Sequence, residues 1–196
     1  MSKDSADVFK EMEALYLKHM ELRAHFPYTN EGMIGQRVLG TAPIYKNALN
    51  KDIIFDFGES GLVAEDVRSI NEIGGFLNEN IIIRLCALLE EHKILQSGKE
   101  VDRTIDDNEA AILTKKLRNA YAHSLGRPDP TNPDHRALFR RLNEYLGLNE
   151  DIKTAEHFPN SIDTVIIPLF KGCKKYAEGI LNKSPSQSKS PMSMAK

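Results

Sequence analysis

Cysteine is scarce in this chain. Two residues, Cys86 and Cys173, in 196 rule out a disulfide framework and leave no thiolate metal spacing. Both fall inside apolar helical patterns and read as small core residues of a protein in a reducing compartment. The histidines outside the motif described below (His19, His25, His92, His135 and His157) are scattered, with no spacing suited to zinc. There is no glycine-rich phosphate loop, no Gly-x-Ser-x-Gly elbow and no carboxylate dyad at helical spacing, so neither metal nor cofactor is expected. No run approaches the roughly 18 consecutive apolar residues that a membrane span needs, and no apolar segment follows a basic start. These absences predict a cytoplasmic protein with no membrane partner. Internal repeats are absent too, and strand patterning is slight.

An ordinary globular composition remains, with 41% apolar and 28% charged residues. A chain of this length buries enough surface to fold without a staple, about 70% of what it exposes unfolded. Net charge is −2, which alone argues against indiscriminate binding of nucleic acid, but the charge is divided unevenly. Residues 1–110 hold 12 Lys/Arg against 20 Asp/Glu, whereas residues 111–196 hold 14 against 8. Between Lys115 and Arg141 seven basic residues face only Asp129 and Asp134. A polyanion is drawn to that half and repelled by the other.

Helical periodicity dominates the chain. Residues 5–26 carry Val8, Met12, Leu15, Leu22 and Phe26 near the helical repeat, with Pro27 as the stop and His19 and His25 read as surface residues. Residues 27–60 are punctuated by Gly32, Gly35, Gly40 and Pro43, and Asp52–Phe57 suits a short strand or an extended segment. From Leu62 to Leu95 the pattern is helical and apolar, and Gly74–Gly75 is expected to break or kink it. The second piece, Phe76–Leu95, reads as the central core helix. Its buried stripe is Ile81, Ile82, Leu85, Leu88 and Leu89, its wet side Arg84, Glu90, Glu91 and His92, and Gly98 its terminator. Asp106 with Glu109 resembles a capping box for the next helix, whose core face is Leu113, Leu117, Ala120 and Tyr121. A second stripe on that helix, Ile112, Lys116, Asn119 and His123, has mixed polarity and suits a groove or an interface. After a loop with three prolines, Asn132 and Pro133 begin another helix that ends at Gly147. A last helix runs from about 160 to 181, with a kink expected at Pro168. Residues 183–196, rich in Ser and Pro, read as a disordered tail. The expected fold class is all-α: a bundle of four to five main helices (61–182), with residues 1–60 forming an N-terminal helix and an irregular segment packed on it.

The motif helix ends in Arg118-Asn119-Ala120-Tyr121-Ala122-His123. Asn119 and His123, at i and i+4, share a face. Arg118 lies roughly 140° from His123 on an ideal helix, so the two converge only at a frayed end, by a wrapping Arg side chain, or across two subunits. An Arg, a polar residue, three further residues and a His resemble the signature of HEPN domains, small all-helical domains many of which are metal-independent ribonucleases. The resemblance covers roughly residues 60 to 182. It implies RNA cleavage by the substrate's own 2′-hydroxyl in a composite site of a homodimer, with Arg118, Asn119 and His123 catalytic. His titrates near neutrality, Arg matches phosphate oxygens bidentately, and Asn can orient the His ring or hold the phosphate without titrating. One HEPN toxin group has a Tyr two residues after the His that a partner nucleotidyltransferase modifies; here Leu125 stands there, so that regulation is not expected.

The expected function is therefore a metal-independent endoribonuclease, a toxin or defence effector with an antitoxin or regulatory partner. Lys115, Lys116, Arg127, Arg136, Arg140 and Arg141 are expected to track RNA phosphates. Two alternatives stay open: a non-catalytic HEPN-like module binding RNA, a nucleotide or a partner protein, and a structural helical adaptor. In the blandest case Arg118, Asn119 and His123 merely cap their helix.

Overall fold

The computed structural model describes residues 5–41 and 53–183; the serine- and proline-rich tail expected at the C-terminus lies outside the described residues. Five helices make up most of it: α1 (Ser5–His25), α2 (Ala64–Glu91), α3 (Asn108–Ser124), α4 (Pro133–Leu146) and α5 (Ile167–Lys183). Two three-residue strands, β1 (Val38–Gly40) and β2 (Ile54–Asp56), pair antiparallel with Leu39 opposite Phe55. The fold class is all-α, with little strand.

Helix α3 holds the centre, packed against α2, α4 and α5, while α1 lies along α2 and touches α5. Its core face is the expected one: Leu113 and Leu117 are fully buried, with Ala120 and Tyr121 beside them. Across from it stand Ile81, Ile82, Leu85 and Leu89 of α2 and Leu169 and Cys173 of α5. Leu88 is only partly buried, and Leu22 of α1 is exposed. Gly172 permits the close approach of α5, since a Cβ there would meet Ala110 Cβ and Tyr145 Oη.

Helix α2 runs unbroken through Gly74–Gly75, contrary to the sequence expectation, and Phe76 is largely exposed in mid-helix rather than at the head of a core helix. The glycine at 74 serves a tertiary contact. The buried Arg23 guanidinium of α1 lies where a Cβ on Gly74 would be, and that packing outweighs the helix penalty of about 1 kcal/mol per glycine. His19, one turn before Arg23, is buried as well rather than on the surface. Burial, with the Arg23 charge, pushes its imidazole down to about 4. His92 is also off the wet side, its side chain enclosed and its Nε2 3.0 Å from Glu11 Oε2 of α1. Helix α2 stops there, with His92 as C-cap and Lys93 at φ 60, well before Gly98.

The stretch after α1 is tied down. Asn71 Nδ2 donates to Thr29 O at 2.7 Å, Thr29 N–H donates back to Asn71 Oδ1 at 3.0 Å, and Thr41 Oγ1 donates to Ala24 O at 3.1 Å. The strand pair covers a satellite cluster of Leu39, Leu62 and Val67 at the start of α2. Pro168, the second residue of α5, follows a π turn, Ile162–Ile166. The wider turn accommodates a residue that has no N–H to give and whose ring crowds the preceding carbonyls.

Candidate active site

Helix α3 delivers the motif, and its start departs from the expected capping box. The first helical residue is Asn108, preceded by Asp107 at φ 56 with no side-chain cap. Glu109 is turned instead to Arg141 of α4, whose Nε and Nη2 both donate to it, Nε at 2.7 Å. A forked, charge-assisted pair outweighs one bond to a backbone amide. Helix α4 begins as expected, with Asn132 Oδ1 accepting from Asp134 N–H at 2.9 Å and Pro133 at the first position, and ends at Gly147.

The motif residues divide between two sides of α3. Arg118 faces α2, its Nη2 donating to Glu90 Oε1 at 2.7 Å, both side chains about three-quarters buried. A hydrogen bond with Cys86, together with the Glu90 carboxylate, raises the Arg118 pKa, so the guanidinium is permanently charged. Asn119 and His123 are exposed on the other side and have no side-chain partner among the described residues. Arg118 and His123 are thus not brought together within one chain.

The mixed stripe lines a groove. Ile112, Lys116 and Asn119 border one depression of about 370 Å³, which also takes in Lys99, Arg103 and Arg141. Lys116, Asn119 and His123 border a second of about 500 Å³, closed by Asn132, His135 and Leu138 at the start of α4. Lys116 and Asn119 belong to both, so the two depressions adjoin along α3.

No family model, curated protein or solved structure matches the chain.

Four of the six expected phosphate-tracking residues have protein partners. Lys115 Nζ donates to Gln96 O at 2.9 Å and Lys99 O at 2.7 Å, which fastens the loop before α3. Arg136 donates to Pro130 O at 3.0 Å and Thr131 O at 2.8 Å. Arg140 lies 3.7 Å from Glu144 on the surface, and Arg141 is held by Glu109. Lys116 and Arg127 have no side-chain partner among the described residues; Lys116 lies in the groove and Arg127 is exposed on the proline loop.

Lys99, Arg103 and His135 are among the lining residues that escaped the sequence reading. Lys99 and Arg103 come from the loop before α3, and only its fold beside Ile112 brings them in. His135 looked isolated. The signal that could have found it is its place as the third residue of a helix announced by Asn132–Pro133, one short loop after the motif.

Both cysteines are free thiols buried in the core. Cys173 is fully buried 3.3 Å from Thr114 Oγ1, and burial pushes its thiol up to about 12. Among the described residues no cluster of three or more His, Cys, Asp or Glu is arranged to hold a metal, and no helix is long and apolar enough to cross a membrane.

Proposed function

We propose that the chain is a metal-independent endoribonuclease of HEPN type, acting in the cytoplasm as a homodimer, with a toxin or defence role. The observation that carries this reading is the free imidazole of His123, at the end of a stripe with Lys116 and Asn119 that lines a groove. A substrate phosphate drawn in by Lys116 meets an imidazole, the side chain that most often serves as general acid or base. Attack by the 2′-hydroxyl on the adjacent phosphorus releases the 5′-oxygen of the next nucleotide and leaves a 2′,3′-cyclic phosphate. Arg118, on the far side of its own helix, enters the reaction through a composite site in which the motifs of two subunits face each other.

The Arg118–Glu90 pair favours a second reading, a non-catalytic module that binds RNA along the groove, because a guanidinium already engaged by a carboxylate has fewer donors left for phosphate. One assay separates the two. Purified protein incubated with single-stranded RNA in EDTA is expected to produce cyclic-phosphate ends. Intact RNA that nonetheless stays bound supports the module. A monomer by light scattering at every concentration removes the composite site.

A further inference from the structure

Among the described residues, His135 is the histidine whose ring nitrogen accepts a backbone N–H. Its Nδ1 accepts the Asp129 backbone N–H at 2.9 Å, and its ring stands edge-on to Phe158 at 5.3 Å between centroids. The loop that supplies this amide is itself fastened. The Asp129 carboxylate accepts from Thr131 N at 2.8 Å and Thr131 Oγ1 at 2.7 Å, and Arg136, the next residue of α4, grips Pro130 O and Thr131 O. An imidazole whose Nδ1 accepts an amide hydrogen carries its own proton on Nε2. The ring cannot flip without losing the Asp129 bond. His135 lines the same cleft as His123 and Lys116, with Asp134 as the single carboxylate on that lining.

The geometry points to His135 as a second substrate contact in this cleft, offering a fixed Nε2–H to a phosphodiester oxygen of RNA. It rests on the reading of the groove as an RNA site and adds a division of labour to it. His123 is exposed and unpartnered among the described residues, so its ring can turn to the substrate. His135 is a positioned donor with its tautomer set by the backbone, and a donor held in place before the substrate arrives needs no reorganisation when charge builds on the phosphoryl oxygens. Lys116 supplies the charge that brings the strand in.

The test uses the whole chain and a 2′-O-methyl oligoribonucleotide, which has every phosphate but no nucleophile. Long-range ¹⁵N–¹H spectra of the free protein are expected to show His135 with a bare Nδ1 and a protonated Nε2. On titration the His123 and His135 signals should shift together and saturate at one concentration. His135→Asn, whose amide oxygen can still accept the Asp129 N–H, should weaken binding by roughly tenfold or more, the worth of a hydrogen bond to a charged group, and leave the melting temperature unchanged. A His135 signal that stays still, or a folded His135→Asn that binds as tightly as wild type, overturns the inference. Should His135→Asn fail to fold, the spectra of the unaltered protein decide alone. Wild type that binds through both rings yet leaves ordinary RNA whole removes the nuclease reading and upholds the contact. Cleavage that is indifferent to His135→Asn upholds the nuclease and removes the contact.

Discussion

Arg118 and His123, five residues apart on one helix, serve different neighbourhoods: the guanidinium is paired with Glu90 of α2 at 2.7 Å, and the imidazole is open to the groove beside α4. The same six-residue motif therefore carries a bundle contact and a solvent-facing group. Their replacement should have unlike consequences.

His123→Ala should leave thermal stability within about 0.5 kcal/mol of wild type, as for exposed residues without partners. RNA cleavage should fall by about 10²–10⁴, the usual loss on removing a proton-transfer group. Gel assays alongside a thermal melt give both numbers. A variant that unfolds would make His123 a helix cap and nothing more.

Arg118→Ala should differ by destabilising the fold as well, because it strands the Glu90 carboxylate at a partly buried site. A double-mutant cycle with Glu90→Ala, read by urea unfolding, should give a coupling of about 1 kcal/mol. Zero coupling would mean the pair holds nothing together and Arg118 is free for substrate.

Charge reversal should separate free cations from engaged ones. Lys116→Glu and Arg127→Glu should weaken RNA binding and flatten its dependence on salt, since each removes a counterion-releasing contact. Arg140→Glu should do less, because Arg140 already has Glu144 nearby. Equal effects from all three would point to a diffuse field rather than a groove.

The glycine pair in α2 offers a test of opposite signs. A Cβ on Gly75 meets only Asn160 Nδ2 at 3.6 Å, so Gly75→Ala should stabilise by up to about 1 kcal/mol through helix propensity. Gly74→Ala should destabilise by roughly 1–2 kcal/mol, since it evicts a buried guanidinium. Two stabilising substitutions would show that Arg23 has somewhere else to go.

Much of this frame was legible. The Asn132–Pro133 start and the Gly147 stop are local chemistry, and the Leu113–Leu117–Tyr121 face is bare periodicity. The same periodicity set the mixed stripe on α3 apart as suited to a groove or an interface. Gly74 was not, because its purpose lies in Arg23, about fifty residues earlier, and propensity counts only neighbours. His19 is the instructive miss. Val8, Met12, Leu15, His19 and Arg23 follow one another at helical spacing, so the period itself placed His19 on the inner face, but its polarity argued it outward. The groove's second wall stayed hidden because a single histidine has no pattern until a loop folds beside it.

That buried histidine has a pH signature. Unfolded, His19 takes up a proton near 6.5; folded, it refuses one until about pH 4. The unfolded chain therefore binds more protons in this window, and stability falls as pH drops through it, by roughly 2–3 kcal/mol from pH 7.5 to 4.5. Urea midpoints of wild type should fall between pH 7.5 and 4.5 by more than those of His19→Leu, so the offset between the two should shift in the variant's favour across that range. A parallel offset at both would place the imidazole in contact with water.

The two clasps on the proline loop have a kinetic meaning. His135 and Arg136, adjacent on α4, hold the loop at Asp129, Pro130 and Thr131, so one wall of the groove is built before any ligand arrives. A strand that docks there orders nothing but itself. Association should accordingly be a single step whose rate climbs linearly with RNA concentration, with no plateau from a slow rearrangement of the protein. The loop should also stand intact under limited proteolysis, though three prolines and an exposed arginine advertise it as the first place a protease would try.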